Sequence, residues 1–153
     1  MALNRVYAAK LPAIVREVPE GTKSGDFLVV NNRPVVALTD RGDATETTKL
    51  GEYAITHPSG GASLKDNEAS LYVDGTYDLP VTGVTEDTGN DVPVYLENGH
   101  LVLTVGAGIG SSDDGDVGAG VGSVGLDIPF GYTNYPPDNY VRKDGIAPVR
   151  IGA

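Results

Sequence analysis

Gly120, Gly122 and Gly125 stand in the order G-x-G-x-x-G within GAGVGSVGLDIPFGY, residues 118–132, the spacing of a dinucleotide-binding turn. That turn works only where a helix opens at the third glycine, because free N–H groups at the helix N-terminus hold the pyrophosphate. Pro129 follows Gly125 by four residues and LDIP has no helical period, so no helix can open there. The acidic ribose partner would have to be Asp144, which sits in a turn-like KDG. With 21 glycines in 153 residues the spacing arises by chance, and the alternation suits a loop leading into a closely packed or bulged strand.

Other residues capable of chemistry are set aside on the same kind of argument. Asp113, Asp114 and Asp116 in SSDDGDVG invite a calcium loop, but counting from Asp113 puts Gly115 at the third position and Val124 at the twelfth, where acids are needed. A solvated turn is the plainer reading, with a looser calcium loop left open. His57 and His100 lack a second His at i+4, a C-x-x-C partner or an H-E-x-x-H context. No G-x-S-x-G elbow marks a nucleophilic Ser. EGTKSG, residues 20–25, has Thr22 where a P-loop needs Gly and Glu17 where its first Gly belongs. Cysteine is absent, which removes disulfides, thiolate metal sites and a Cys nucleophile together. The chain is therefore expected to be no enzyme, with no catalytic residue, no metal and no cofactor.

Charge separates along the chain. Residues 1–16 carry Arg5, Lys10 and Arg16 without an acid, whereas residues 66–141 carry 13 Asp and Glu without a Lys or Arg. A net charge of -10 distributed this way repels phosphate backbones, so nucleic acid is not an expected partner. No run approaches the roughly 18 apolar residues of a membrane helix, and MALNRVYAAK has no signal-peptide core, so the expectation is a soluble, cytoplasmically made chain without a membrane partner. The basic segment from Asn4 through Arg5 and Lys10 to Arg16 reads as an extended arm for an acidic partner surface, or as a terminus that charge merely keeps soluble.

The elements that would position such residues are short strands. FLVV (27–30) and PVVALT (34–39) flank NNR, and VPVYL (92–96) and HLVLTV (100–105) flank ENG, each a tight hairpin. ASLYV (69–73) and TYDLPV (76–81) meet at Asp74-Gly75, either a turn or a bulge in one long strand. GSVGLDI (122–128) and APVRIG (147–152) complete the set, and the best helical candidate, SLKDNEASL with Ser63 as cap, spans barely two turns. The predicted fold is all-β: a small sandwich or barrel of short, mostly antiparallel strands in a single domain from residue 18, after an arm over 1–17 and with inserted loops at 41–68 and 129–146.

PFGYTNYPPDNY, residues 129–140, gathers Phe130, Tyr132, Tyr135 and Tyr140 among three prolines. Proline pre-sets an extended backbone and Tyr offers rigid contact area with a polar tip, the chemistry of a subunit interface. An ordered loop covering the end of a sandwich would use the same residues.

VPEGTKSGDFLVVNNRPVVALTD (18–40), ASLYVDGTYDLPVTG (69–83) and the terminal APVRIG together resemble a family of tailed-phage capsid decoration, or cement, proteins. The resemblance rests on Ser24-Gly25-Asp26 opening a hairpin, Val36 to Asp40, and Tyr77 to Val81, with VPVYLENGHLVLT and VGSVGLDI following in order. It implies a β-rich virion protein that binds the major capsid protein on the outer surface of the expanded head, commonly as a homotrimer, and stabilises it. Some relatives have been labelled recombinases, a label that the missing P-loop does not support. The competing expectation is a carbohydrate-binding β-sandwich, with tyrosines stacking on sugar rings and Asp113 to Asp116 holding calcium.

Overall fold

The computed structural model describes residues 4–103, 128–138 and 140–152. The glycines from Gly120 to Gly125 and the Asp113 to Asp116 cluster lie outside the described residues, as does most of the GSVGLDI strand candidate. Among the described residues there is no helix. Ser63 adopts φ 64° in a turn instead of capping one, and the chain extends as a strand from Glu68. The all-β expectation holds, and the chain forms two compact units, Met1–Tyr77 with Ile151–Ala153 and Asp78–Arg150.

The first unit is organised by a four-stranded antiparallel sheet in the order β2 (Ile14–Glu17), β7 (Glu68–Tyr72), β4 (Arg33–Ala37), β3 (Phe27–Val30). The β3–β4 hairpin closes through Asn31 and Asn32 at φ 50° and 62°, which Asn tolerates better than any other residue with a Cβ. Alternation then places Val35, Ala37, Ala69 and Leu71 on one face, joined by Val18 and Val73 and flanked by Ile14, Leu28 and Val30. Each fully buried Val or Leu there contributes about 1.5–3 kcal/mol of transfer free energy. The N-terminal residues expected as an arm are drawn into this unit. β1 (Arg5–Tyr7) pairs with the start of β8 (Gly75–Thr82) at Tyr77 and Thr76, and β2 pairs with β7 over its whole length. The segments around Asp74-Gly75 do not pair with each other: β7 bonds to β2 and β4, and β8 to β1, so the chain leaves one sheet and enters another at this point.

Residues 41–68, expected as a loop, contain a two-stranded antiparallel ribbon of β5 (Thr45–Leu50) and β6 (Tyr53–Pro58). Gly51 at φ 62° opens its two-residue turn, the position where such a turn calls for Gly.

In the second unit, the later residues of β8 run parallel to β10 (His100–Val102), which pairs antiparallel with β9 (Pro93–Glu97) across the Asn98-Gly99 turn. Next come β11 (Gly131–Thr133) and β12 (Ile146–Ile151), and a β8–β12 pairing closes a five-stranded barrel. Leu79, Val81, Val94, Leu101, Ala147 and Val149 are buried here. Closure removes the sheet edges that short strands would otherwise leave open.

Candidate functional site

The ribbon is the element of the first unit that lacks a core of its own. All residues from Thr45 to Pro58 are exposed, and a lone two-stranded hairpin is at best marginally stable in water. Its register separates two faces. Thr45, Thr47, Lys49, Ala54, Thr56 and Pro58 share one, where the Thr47 and Thr56 hydroxyls lie 2.9 Å apart. The other carries Glu46, Thr48, Leu50, Tyr53, Ile55 and His57. Leu50 is 62% exposed, Tyr53 78% and Ile55 53%, so three large apolar side chains stand side by side in solvent near the turn.

The ribbon's base, in contrast, is bound firmly. The Asp40 carboxylate accepts hydrogen bonds from the Ser24 N–H (2.9 Å), the Ser59 hydroxyl (2.9 Å) and the Lys23 ammonium (3.4 Å). Asp40 also bridges to Gly60, and the Gly42 N–H donates to the Glu68 carbonyl at 2.9 Å. Burial alone would raise the Asp40 carboxyl, but the Ser24 and Ser59 hydrogen bonds and Lys23 outweigh it and hold the group below the ordinary carboxylate value. A folded-state value depressed in this way contributes stability that is present above the unfolded value, about 3.9, and is lost as pH falls through the folded one. Thermal melts should therefore weaken below about pH 4. Asp40→Asn should lower Tm at neutral pH while flattening that acid slope. Parallel slopes for the two proteins would refute the role given to Asp40.

The N-terminal segment is held by the Asn4 and Arg5 side chains at its start and by its backbone at Lys10 and Leu11. Asn4 Nδ2 donates to the Gly25 carbonyl at 3.2 Å, and Arg5 donates to the Tyr72 hydroxyl at 3.2 Å with its guanidinium 5.7 Å from the Tyr72 ring centre. Both Lys10 and Leu11 give their N–H groups to the Asp74 carboxylate, at 2.7 and 3.1 Å. The Lys10, Leu11 and Val15 side chains are exposed, and so is Arg16, whose guanidinium donates to the Val15 carbonyl at 2.7 Å. Of the four residues singled out for an arm, Asn4 and Arg5 serve the fold, whereas Lys10 and Arg16 remain open to a partner.

The aromatic segment divides likewise within the second unit. Phe130 and Tyr135 are buried, so the area they would offer a partner is already used, while Tyr132 and Tyr140 stay partly exposed. Tyr135 and Tyr140 meet edge to face at 5.7 Å, the Arg142 guanidinium lies 4.0 Å over the Tyr135 ring, and Arg142 donates to the Thr88 carbonyl at 2.9 Å. Asn90 pairs with both the N–H and the carbonyl of Tyr135. The Tyr140 hydroxyl donates to Asp78 at 2.6 Å; burial raises that phenol and the Asp78 hydrogen bond raises it further. The segment serves chiefly as an ordered cover for its own unit.

Both histidines, on β6 and at the start of β10, are exposed, and among the described residues no three His, Cys, Asp or Glu converge as a metal site. Among the same residues no helix is long and apolar enough to cross a membrane. The ribbon was missed in the sequence: Gly51-Glu52 offers a turn, but the runs on either side of it carry no sustained apolar-polar alternation. No family model, no curated protein and no solved structure matches the chain.

Proposed function

We propose that this chain is a structural virion protein that binds the outer surface of an expanded phage capsid and stabilises it. The observation that carries the reading is the ribbon: an ordered element with a solvent-facing row of Leu50, Tyr53 and Ile55, whose burial requires another molecule. The open Lys10 and Arg16 side chains add a basic contact of the kind an acidic shell surface would take. A cement protein works by modest contacts repeated around a lattice, so its affinity comes from multivalency and needs no reacting group. The resemblance of residues 18–40, 69–83 and 147–152 to decoration proteins points the same way.

A sugar-binding module would need exposed aromatic platforms, and the burial of Phe130 and Tyr135 removes two of the four candidates. Co-sedimentation with undecorated heads from the parent phage tests the reading, comparing expanded shells with unexpanded precursors. Saturable binding to expanded shells alone is expected. Binding to neither form would overturn the proposal.

A further inference from the structure

The second unit holds an open cleft beside its aromatic cover. One wall is the turn after β8, where the Thr85 N–H donates to the Thr88 hydroxyl at 2.9 Å and the Thr88 N–H donates to the Thr85 carbonyl at 3.1 Å. The other is the turn before β12, closed by the Ile146 N–H on the Lys143 carbonyl at 3.2 Å. Arg142 ties the two together through the Thr85 and Thr88 carbonyls, with its guanidinium over the Tyr135 ring. The space between them is about 330 Å³, counting the part open to solvent, and half-buried Val84 and Ile146 give it an apolar lining.

Two observations mark this cleft for a ligand. Tyr135, which lines it, is 8% exposed, yet its hydroxyl is buried without a hydrogen-bond partner. Folded proteins ordinarily satisfy such a group, because leaving it unpaired forfeits its hydration. Four charged side chains also line the cleft, Glu86, Arg142, Lys143 and Asp144, and among the described residues none of them is in an ion pair. Arg142 spends Nη1 on the two Thr carbonyls, which leaves Nε and Nη2 to take a carboxylate side-on.

A simple anion entering here would meet two carboxylates, and a simple cation two bases. A molecule carrying both charges finds a partner for each. We infer that the cleft binds a free α-amino acid with an aliphatic side chain, its carboxylate on Arg142, its ammonium toward Glu86 and Asp144, and its side chain against Val84 and Ile146. The Tyr135 hydroxyl gains the partner it lacks by donating to the same carboxylate. Stacking on the Tyr135 ring and the bonds to Thr85 and Thr88 hold the Arg142 guanidinium in place before the ligand arrives, which lowers the ordering cost of binding. The site lies wholly within the second unit and uses no residue of the ribbon or of the N-terminal segment, so it stands or falls apart from capsid binding.

The experiment is an NMR titration of the full-length protein with L-leucine, with L-leucinamide, which lacks the carboxylate, and with 4-methylpentanoate, which lacks the ammonium. Leucine should shift the Thr85, Lys143 and Ile146 amides saturably, and each single-charge analogue should bind at least about tenfold more weakly. Tyr135→Phe keeps the ring under Arg142 and removes the unpaired hydroxyl. It should weaken leucine binding while Tm in circular dichroism melts holds or rises, an opposition that a merely structural hydroxyl would not produce. Glu86→Gln changes an exposed side chain; it should weaken leucine and leave 4-methylpentanoate unaffected. No saturable leucine shifts, equal binding of the three compounds, or a lower Tm for Tyr135→Phe would each overturn the inference.

Discussion

Gly131→Ala is expected to cost about 3 kcal/mol and to lower Tm by roughly 6–12 °C, through the barrel of the second unit. A Cβ built on Gly131 would lie 2.4 Å from the Arg150 carbonyl oxygen and 2.8 Å from Val149 Cγ1. The first of these is backbone, and it cannot rotate away. β11 is bonded on one side to β9 and on the other to β12, so moving it to relieve the clash lengthens ladder hydrogen bonds on one flank or both. The neighbouring cover would loosen with it: the Thr133 hydroxyl donates to the Gly89 carbonyl at 2.7 Å, and the Thr133 carbonyl receives the Asp91 N–H at 2.8 Å. Gly89→Ala is the control, since its Cβ would meet open space, and its Tm should stay within about 1–2 °C of wild type. Differential scanning calorimetry of the two variants decides the matter. Equal midpoints would show that β11 has room to shift.

Leu71→Ala should cost about 2–5 kcal/mol, with most of the loss expressed in the first unit. Leu71 is fully buried in the cluster with Val35, Ala37, Ala69 and Val73, and its strand lies between β2 and β4. Truncation removes apolar area and leaves a cavity that two flanking strands can only partly close. The effect should reach the exposed residues of β2 and the base of the ribbon. β7 holds β2, which carries Val15 and Arg16, and it anchors the ribbon's approach through Leu38 N–H to the Ser70 carbonyl at 2.8 Å and Gly42 N–H to that of Glu68. Amide exchange should quicken across β2, β4 and β7 ahead of β9 and β11. Uniform quickening in both units would instead mean that the two unfold as one.

How much of this was legible in the sequence varies with how local the cause is. The β3–β4 and β9–β10 hairpins were readable because Asn31-Asn32 and Asn98-Gly99 accept the positive φ that a two-residue turn demands, and alternating apolar residues on either side mark the strands. The ribbon was not, because strand recognition depends on alternation between buried and exposed positions, and TETTKL and YAITHP have no buried position to report. Its apolar row emerges only when β5 and β6 are paired and Leu50, Tyr53 and Ile55 fall on one face. The separation of charge into a basic start and an acidic middle was plain in the sequence; which basic side chains stay free was not. Arg5 is taken by Tyr72, a residue 67 positions away, while Lys10 and Arg16 are left open.

By itself, then, the sequence determined the class of the fold, its turns and its want of recognisable catalytic motifs, because these follow from backbone preferences, side-chain chemistry and spacing over a few residues. Only the tertiary structure decided the division into two units and the direction in which each cluster faces. Phe130 and Tyr135 turn inward, Tyr135 between Asn90 and Arg142, and Leu50, Tyr53 and Ile55 turn outward into solvent. Composition specifies how much apolar surface a chain carries, whereas pairing between residues distant in sequence decides which part of it remains for a partner.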